Sequence, residues 1–507
     1  MSKKRWSAGL IVTGIFTTGF MVLLTWLRYR YASSYARSWD QVDFALGVQS
    51  FDLFQMQPHF PGYPYFILGG TLVNQWIPNP AEALAYVNIT LMTLAVIPIF
   101  LLCRRRLSVV YSLIGVVAVQ SLAYLSIMTV EPMSGAAATA VLWWYIWSLV
   151  VAWEKNRSNP TRFSAIAELL PPLLFSILLG IRLSYFPFGL GFILLWIVHW
   201  KNVPNRRLFY DYLARQIIFT VVFQLIWIVG LVVSVGGVDF FVALAAGFIE
   251  GHFSNWGGAV TTDSQPVGNR FMKLIGENLV WVGMTLKSIF AAITFGLMIV
   301  VTAMTRSTPS SGRKSAPPME RWIIILSVGY FVWALLGQNV DKTRHILPLI
   351  GLIMLLLVLR LLASKFKKVA VVVVVLSSML QVYQGYGYMK IGATERPSTY
   401  QLASRLEQLR QPFIVYTWEE ERVLDYLNAP YDYKKIYTYE LFLADISYRG
   451  NRDVYLTNMV VEGFLQQGHD VSDSIEEVDV FKSDPIFDPV YHTITLYKWT
   501  NNGVRGG

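Results

Sequence analysis

Eleven long apolar stretches separated by short polar segments dominate the first 385 residues, at 8–27, 82–102, 109–126, 135–153, 165–181, 184–200, 215–235, 278–304, 322–338, 346–363 and 369–385. Stretches of about this length cross the roughly 30 Å hydrocarbon core of a bilayer as helices, so the pattern predicts eleven membrane spans. From about residue 397 the pattern changes. Runs with strand composition at 413–417, 435–439 and 453–457 alternate with helical runs at 398–410, 419–427, 440–447 and 459–467, and two more strand-like runs follow near 475–482 and 490–499. Strands alternating with helices predict a small α/β layer domain. The predicted fold class is a polytopic α-helical membrane protein, residues 1–385, carrying a small C-terminal α/β domain, residues 386–507.

Composition agrees and narrows the class. Hydrophobic residues are 54% of the chain and charged residues only 15%, against about 25% charged in a soluble protein. The formal net charge of +10 does not point to nucleic acid, because the tail from Pro397 holds 10 Lys+Arg against 17 Asp+Glu, and the surplus lies in short loops of the membrane part. These loops fall into two sets. One carries Lys3, Lys4 and Arg5, then Arg104–Arg106, Lys155, Arg157 and Arg162, Lys201, Arg206 and Arg207, Arg306, Arg313 and Lys314, and Lys365, Lys367 and Lys368; the short loops of the other carry only Arg182, Lys342 and Arg344. The positive-inside rule then sets the N-terminus in the cytoplasm and the C-terminal domain outside. One basic face and one outer face suit a bacterial plasma membrane. The first run is about 20 residues long and is followed by Arg28, Arg30 and Arg37, so it reads as a retained anchor rather than a cleaved signal peptide. The single Cys103 permits no disulfide within the chain.

Two long internal segments fall on the outer side, 28–80 and 236–277. Loops of that length are uncommon unless functional, whereas the long cytoplasmic loop 305–321 reads as a flexible linker. The first outer segment contains Trp39-Asp40-Gln41-Val42-Asp43-Phe44 and later His59-Phe60-Pro61-Gly62-Tyr63-Pro64. Asp40 and Asp43 are three apart and share one side of a helix. Two carboxylates close together at an interface can act as base and partner, or can simply form a solvated turn. His59 suits a substrate contact or a structural role. Arg182, in Gly180-Ile-Arg182-Leu-Ser-Tyr185, and Lys342 with Arg344, at the mouth of the tenth span, suit a phosphate; the alternative for Arg182 is snorkelling to headgroups. His252 and Trp256 can line a sugar site or form part of an interfacial aromatic belt. No glycine-rich phosphate loop supports nucleotide binding.

An acidic pair just after the first span, followed about twenty residues later by a His-Pro-type motif, resembles the GT-C glycosyltransferases. These polyprenyl-phosphate-sugar-dependent enzymes include protein O-mannosyltransferases and the lipid A aminoarabinose transferase. Where that family reads Asp-Glu and His-Pro-Pro, this chain reads Asp40-Gln41 and His59-Phe60-Pro61, with an acid again at Asp43. The resemblance implies a membrane glycosyltransferase that uses a polyprenyl-phosphate-linked donor and an acceptor outside the membrane, with inversion at the anomeric carbon. It implies Asp40, or else Asp43, as general base, and a basic group at Lys342 and Arg344 facing the donor phosphate, with Arg182 and Tyr185 nearby. No cofactor is required; some relatives use a divalent metal, which the set Asp40, Asp43 and His59 can bind weakly. The partners expected are membrane lipid, the lipid-linked donor and an acceptor glycan, lipid or protein, but no nucleic acid. Two other readings stay open: a transporter or flippase of a lipid-linked sugar, which calls for ionisable residues inside spans, where Lys287 is the main example, and a non-catalytic scaffold.

Overall fold

A computed structural model describes residues 8–158, 163–263, 265–304, 319–448, 450 and 452–500. Most of the linker expected at 305–321, and the basic residues Lys3, Lys4, Arg5, Arg162, Arg306, Arg313 and Lys314, lie outside the described residues. Among the described residues, eight helices are long and apolar enough to cross a membrane, or ten if each of two bent pairs is one span. The protein is an integral membrane protein with a helical membrane domain and a small sheet domain. Every predicted span overlaps a helix, but the count differs from eleven because 165–181 is the 17-residue helix Ala165–Ile181, with Pro171 and Pro172 inside it. At 1.5 Å per residue this helix is about 26 Å long. Its membrane-facing length is therefore marginal.

The bends have identifiable partners. Val109–Gln120 and Ala123–Val130 meet at 60°. A broken helix frees backbone groups that lipid cannot satisfy. Here Arg28, fully buried, donates to the Gln120 carbonyl at 2.7 Å, and the Gln381 side chain accepts from the Ala123 amide at 2.8 Å. The second pair, Val267–Met284 and Ile289–Met304, bends by 106°. It includes a π-helical stretch, Lys273–Met284. Gln381 again supports the break, donating to Met284 O at 2.6 Å. Lys287 therefore sits at this break and not within a continuous span, as the predicted run 278–304 implied.

The basic loops gather at one end. Arg105 pairs with Glu154 at 2.8 Å and Arg106 with Glu320 at 2.9 Å. At the other end the segment 28–80 folds into two 11-residue helices, Trp39–Gln49 and Pro64–Asn74. Gly62 (φ 85°) and Tyr63 (φ 45°) turn the backbone just before Pro64 opens the second helix. The second long segment is not an open loop, since it contains the helix Val238–Ser254.

The helix Lys367–Thr394 continues past residue 385 before the sheet domain begins. Five strands follow: β1 (Phe413–Thr417), β2 (Asp432–Lys435), β3 (Asp453–Thr457), β4 (Ile475–Lys482) and β5 (Thr493–Trp499). Their order is β2-β1-β3-β5-β4, with β1 parallel to β2 and β3, and β5 antiparallel to β3 and β4. All five β1 residues are buried, as expected of a parallel strand covered on both faces. Ile414 and Tyr416 pack with Phe442 and Phe464 on one side, while Phe413 and Val415 pack with Leu402 and Leu406 on the other. β2 starts three residues earlier than its predicted run, because Asp432 to Lys435 pair in register with Ile414 to Thr417.

Candidate functional site

The helix Trp39–Gln49 is held by its apolar side. Val42 and Ala45 pack with Ala36, Ala81 and Val423 of the sheet domain, and Phe44 packs edge-on against Tyr63 and Phe66. Three residues along a helix turn the chain by 300°, so Asp40 and Asp43 point about 60° apart. That divergence is enough to give them different neighbours.

Asp40 faces a cavity of about 270 Å³. The membrane domain contributes Gln41, Tyr124, Met128, Met133, Lys287, Lys342 and Arg344; the sheet domain closes it with Glu419 and the segment Pro485–Tyr491. An Asp40 carboxylate oxygen lies 2.5 Å from Arg344 Nη2. Burial disfavours the Asp40 charge, but Arg344, Lys342, His59 and Arg182 outweigh it and hold this carboxyl well below the usual carboxylate range. The Lys342 side chain has no hydrogen bond or ion pair among the described residues. Burial pulls its pKa down, and Arg344 adds to this, while Asp40, Glu419 and Asp488 oppose it. Arg182 lies one layer deeper. It donates to Ser134 Oγ at 2.9 Å and shares with Arg344 a small second cavity that adjoins the first at Met128 and Met133. Three basic side chains, Lys342, Arg344 and Arg182, thus converge on one end of the bundle beside Asp40, in a cavity that Glu277, Asp341, Glu419 and Asp488 also line.

Asp43, turned toward the sheet domain, is fully buried. Its Oδ1 accepts from Arg422 Nε at 2.9 Å, and its Oδ2 lies 2.8 Å from His59 Nδ1. The other His59 nitrogen lies 3.0 Å from the Tyr63 hydroxyl. Arg422 also donates to the carbonyls of Gln55 and Met56. Asp43 and His59 therefore tie the first loop to the sheet domain and do not line the cavity. Nor do three other expected contacts. Tyr185 is buried with its hydroxyl 2.9 Å from Thr139 Oγ1. His252 lies 2.7 Å from the Gly337 carbonyl, and Trp256 is exposed beside it at the end of Val238–Ser254. Asp40, Asp43 and His59 do not converge as a metal site, and no three His, Cys, Asp or Glu side chains do so among the described residues.

Glu131 escaped sequence reasoning because it looks like a plain turn residue before Pro132. It is buried at the end of Ala123–Val130, where it accepts from Gln41 Nε2 at 3.0 Å and pairs with Arg37 at 3.4 Å. Burial pushes its carboxyl up, and Arg37 and Gln41 pull it back. Gln41 also accepts from the Arg37 amide at 2.8 Å. An amide can donate to Glu131 while accepting from Arg37; a carboxylate cannot donate. The acid that the family motif places at position 41 would thus face another acid here. Gln41→Glu is expected to set two carboxyls together, so that one holds its proton in the folded state. Its folded pKa is raised, so the variant loses stability as pH rises above about 4.3. Thermal melts at pH 5 and pH 7 check this: the deficit against wild type should be larger at pH 7.

No protein-family profile matches the chain, and no curated protein matches it in sequence. Solved structures do match in fold. ArnT from Cupriavidus metallidurans bound to undecaprenyl phosphate superposes with a TM-score of 0.55 at 10% identity, over 97% of this chain and 99% of that one. The same protein in the apo state gives 0.57 at 9% identity, over 96% and 98%. At such identity no residue role carries across. The likeness is one of fold, over nearly the whole length of both chains.

Proposed function

We propose that the protein is a membrane glycosyltransferase that moves a sugar from a polyprenyl-phosphate carrier to an acceptor hydroxyl on the face bearing the sheet domain, outside the cytoplasm. The observation that carries this reading is Asp40 facing Arg344 and Lys342 in one cavity at the bundle end. The ArnT fold, described bound to undecaprenyl phosphate, lends support.

Each residue has a task. Lys342 and Arg344 grip the donor phosphate, and Arg182 adds positive field from below. Asp40 takes the proton from the acceptor hydroxyl as that oxygen bonds to the anomeric carbon. The bond from that carbon to the phosphate oxygen breaks, and its electron pair leaves with the lipid phosphate. The phosphate gains one negative charge in the process, so the cations bind the transition state more tightly than the ground state. One displacement inverts the anomeric carbon. Arg344 engages Asp40 and holds it a weak base. A bound phosphate competes for that guanidinium, and the carboxyl's pKa then climbs toward its ordinary range. The base is thereby strengthened when donor is present. Asp43, locked between Arg422 and His59, is left the task of holding the helix.

The test is release of undecaprenyl phosphate from a panel of undecaprenyl-phosphate sugars by the purified protein, with membrane glycolipid and glycan fractions as acceptors. Movement of such lipids across proteoliposomes without any bond cleavage would establish the flippase instead. Against the flippase stands Lys287, which lies at a helix break lining the cavity and not at the middle of a span.

A further inference from the structure

The cations of the cavity all come from one side. The membrane domain presents Lys287, Lys342 and Arg344 together with the acids Asp40, Glu277 and Asp341. The sheet domain presents Glu419, Asp488 and Tyr491, none of which the mechanism above employs. We infer that this roof is the subsite for the transferred sugar, reading its ring hydroxyls, so that the sheet domain sets sugar specificity; the inference rests on the glycosyltransferase reading.

The geometry is that of a built acceptor pair. Asp488 is 4% exposed. Its Oδ1 accepts from the backbone amides of Val490 at 3.2 Å and Tyr491 at 3.0 Å, whereas its Oδ2 has no hydrogen bond among the described residues. Glu419 Oε2 accepts from the Tyr491 hydroxyl at 2.6 Å, and its Oε1 is likewise without one. Each carboxyl is thus oriented by one oxygen and offers the other. Sugar hydroxyls are donors that these remaining oxygens can accept. Both acids act electrostatically on Lys342. A phosphate on Lys342 accordingly sets its attached sugar against the roof.

The roof is also rigid. Pro485 and Pro489 bracket the segment. Phe487 is packed so tightly on the membrane domain that a Cβ on Gly392 would come within 2.7 Å of its ring, and the Arg37 guanidinium lies 4.8 Å from the ring centre. Preorganised groups lose little on binding. The 270 Å³ of the cavity falls below the roughly 300–1,000 Å³ of drug-sized sites, which suits one sugar ring rather than a longer glycan.

The experiment compares binding of undecaprenyl phosphate with and without a single hexose, by native mass spectrometry, in wild type and in Glu419→Gln and Asp488→Asn. Wild type should bind the glycosylated lipid at least tenfold more tightly for one hexose among its epimers. Each variant should reduce that preference by about tenfold while binding bare undecaprenyl phosphate as wild type does. A deoxy donor lacking the hydroxyl read by Asp488 should show no further loss in Asp488→Asn. Equal binding of all epimers and of the bare lipid by wild type overturns the subsite alone. So does a preference that both variants retain. Failure of wild type to bind any of these lipids overturns the glycosyltransferase reading as well.

Discussion

Asp40→Asn is expected to lower sugar transfer by about 10²–10⁴-fold, the usual worth of a positioned general base. That is roughly 3–5 kcal/mol in the barrier. Asn keeps the shape and can accept from Arg344, so donor binding should persist and the fold should hold. Asp43→Asn should behave differently. It removes the charge opposite the partly buried Arg422 guanidinium, which is 13% exposed, while Asp43 itself is fully buried. Leaving one member of a buried pair uncompensated costs about 3–5 kcal/mol. Here the cost falls on the docking of the sheet domain onto Trp39–Gln49. Single-turnover release of lipid phosphate, read beside hydrogen exchange over residues 39–49, separates the two: Asp40→Asn slows chemistry with unchanged protection, and Asp43→Asn lowers protection. Near-normal turnover in a folded Asp40→Asn protein would falsify the assignment of the base.

Much of this arrangement is legible in the sequence because it rests on period and charge. Apolar length marks the membrane helices, and loop charge sorts their ends. The α/β tail is legible because its strands are short runs rich in Phe, Ile, Val and Tyr between helical runs, and four of the five fall close to their expected positions. Asp40, Lys342 and Arg344 stand out as charges at the edges of apolar runs, and they meet in the cavity. What is illegible depends on distance along the chain. Arg422 reaches Asp43 across 379 positions, and Glu131 meets Gln41 across 90. No local pattern announces such partners. The helix breaks are hidden for another reason: each lies inside a long run that is apolar on average, in which Ser121 or Lys287 alone marks no end, and Arg28 and Gln381, far away in sequence, satisfy freed backbone groups at the bends. Spacing alone also placed Asp40 and Asp43 together, although their 60° divergence on the helix is decisive once a second domain covers one side.

Arg344→Ala should damage both binding and turnover, in contrast to Asp40→Asn. The donor phosphate is charged before it reacts, so losing the guanidinium weakens ground-state binding, with a charged hydrogen bond worth about 1.5–3 kcal/mol. The leaving phosphate gains a further charge in the transition state, so turnover falls as well, by roughly 10²–10³-fold if Arg344 acts as an oxyanion donor does. The pH dependence should carry a second signature. Burial raises the pKa of Asp40, and Arg344 heads the cations that outweigh it. Without Arg344 the folded pKa moves upward, toward the ordinary value near 3.9. Because kcat/KM reports the free enzyme, its acid limb should shift to higher pH in Arg344→Ala. Lys342 remains beside Asp40 in the variant, so the depression should be reduced rather than abolished. In wild type the acid limb of kcat should already lie above that of kcat/KM, since bound donor has drawn Arg344 away from the carboxylate. Identical acid limbs in wild type and variant, with donor affinity intact, would show that Arg344 touches neither phosphate nor base during turnover. The phosphate clamp would then have to be rebuilt around Lys342 and Arg182.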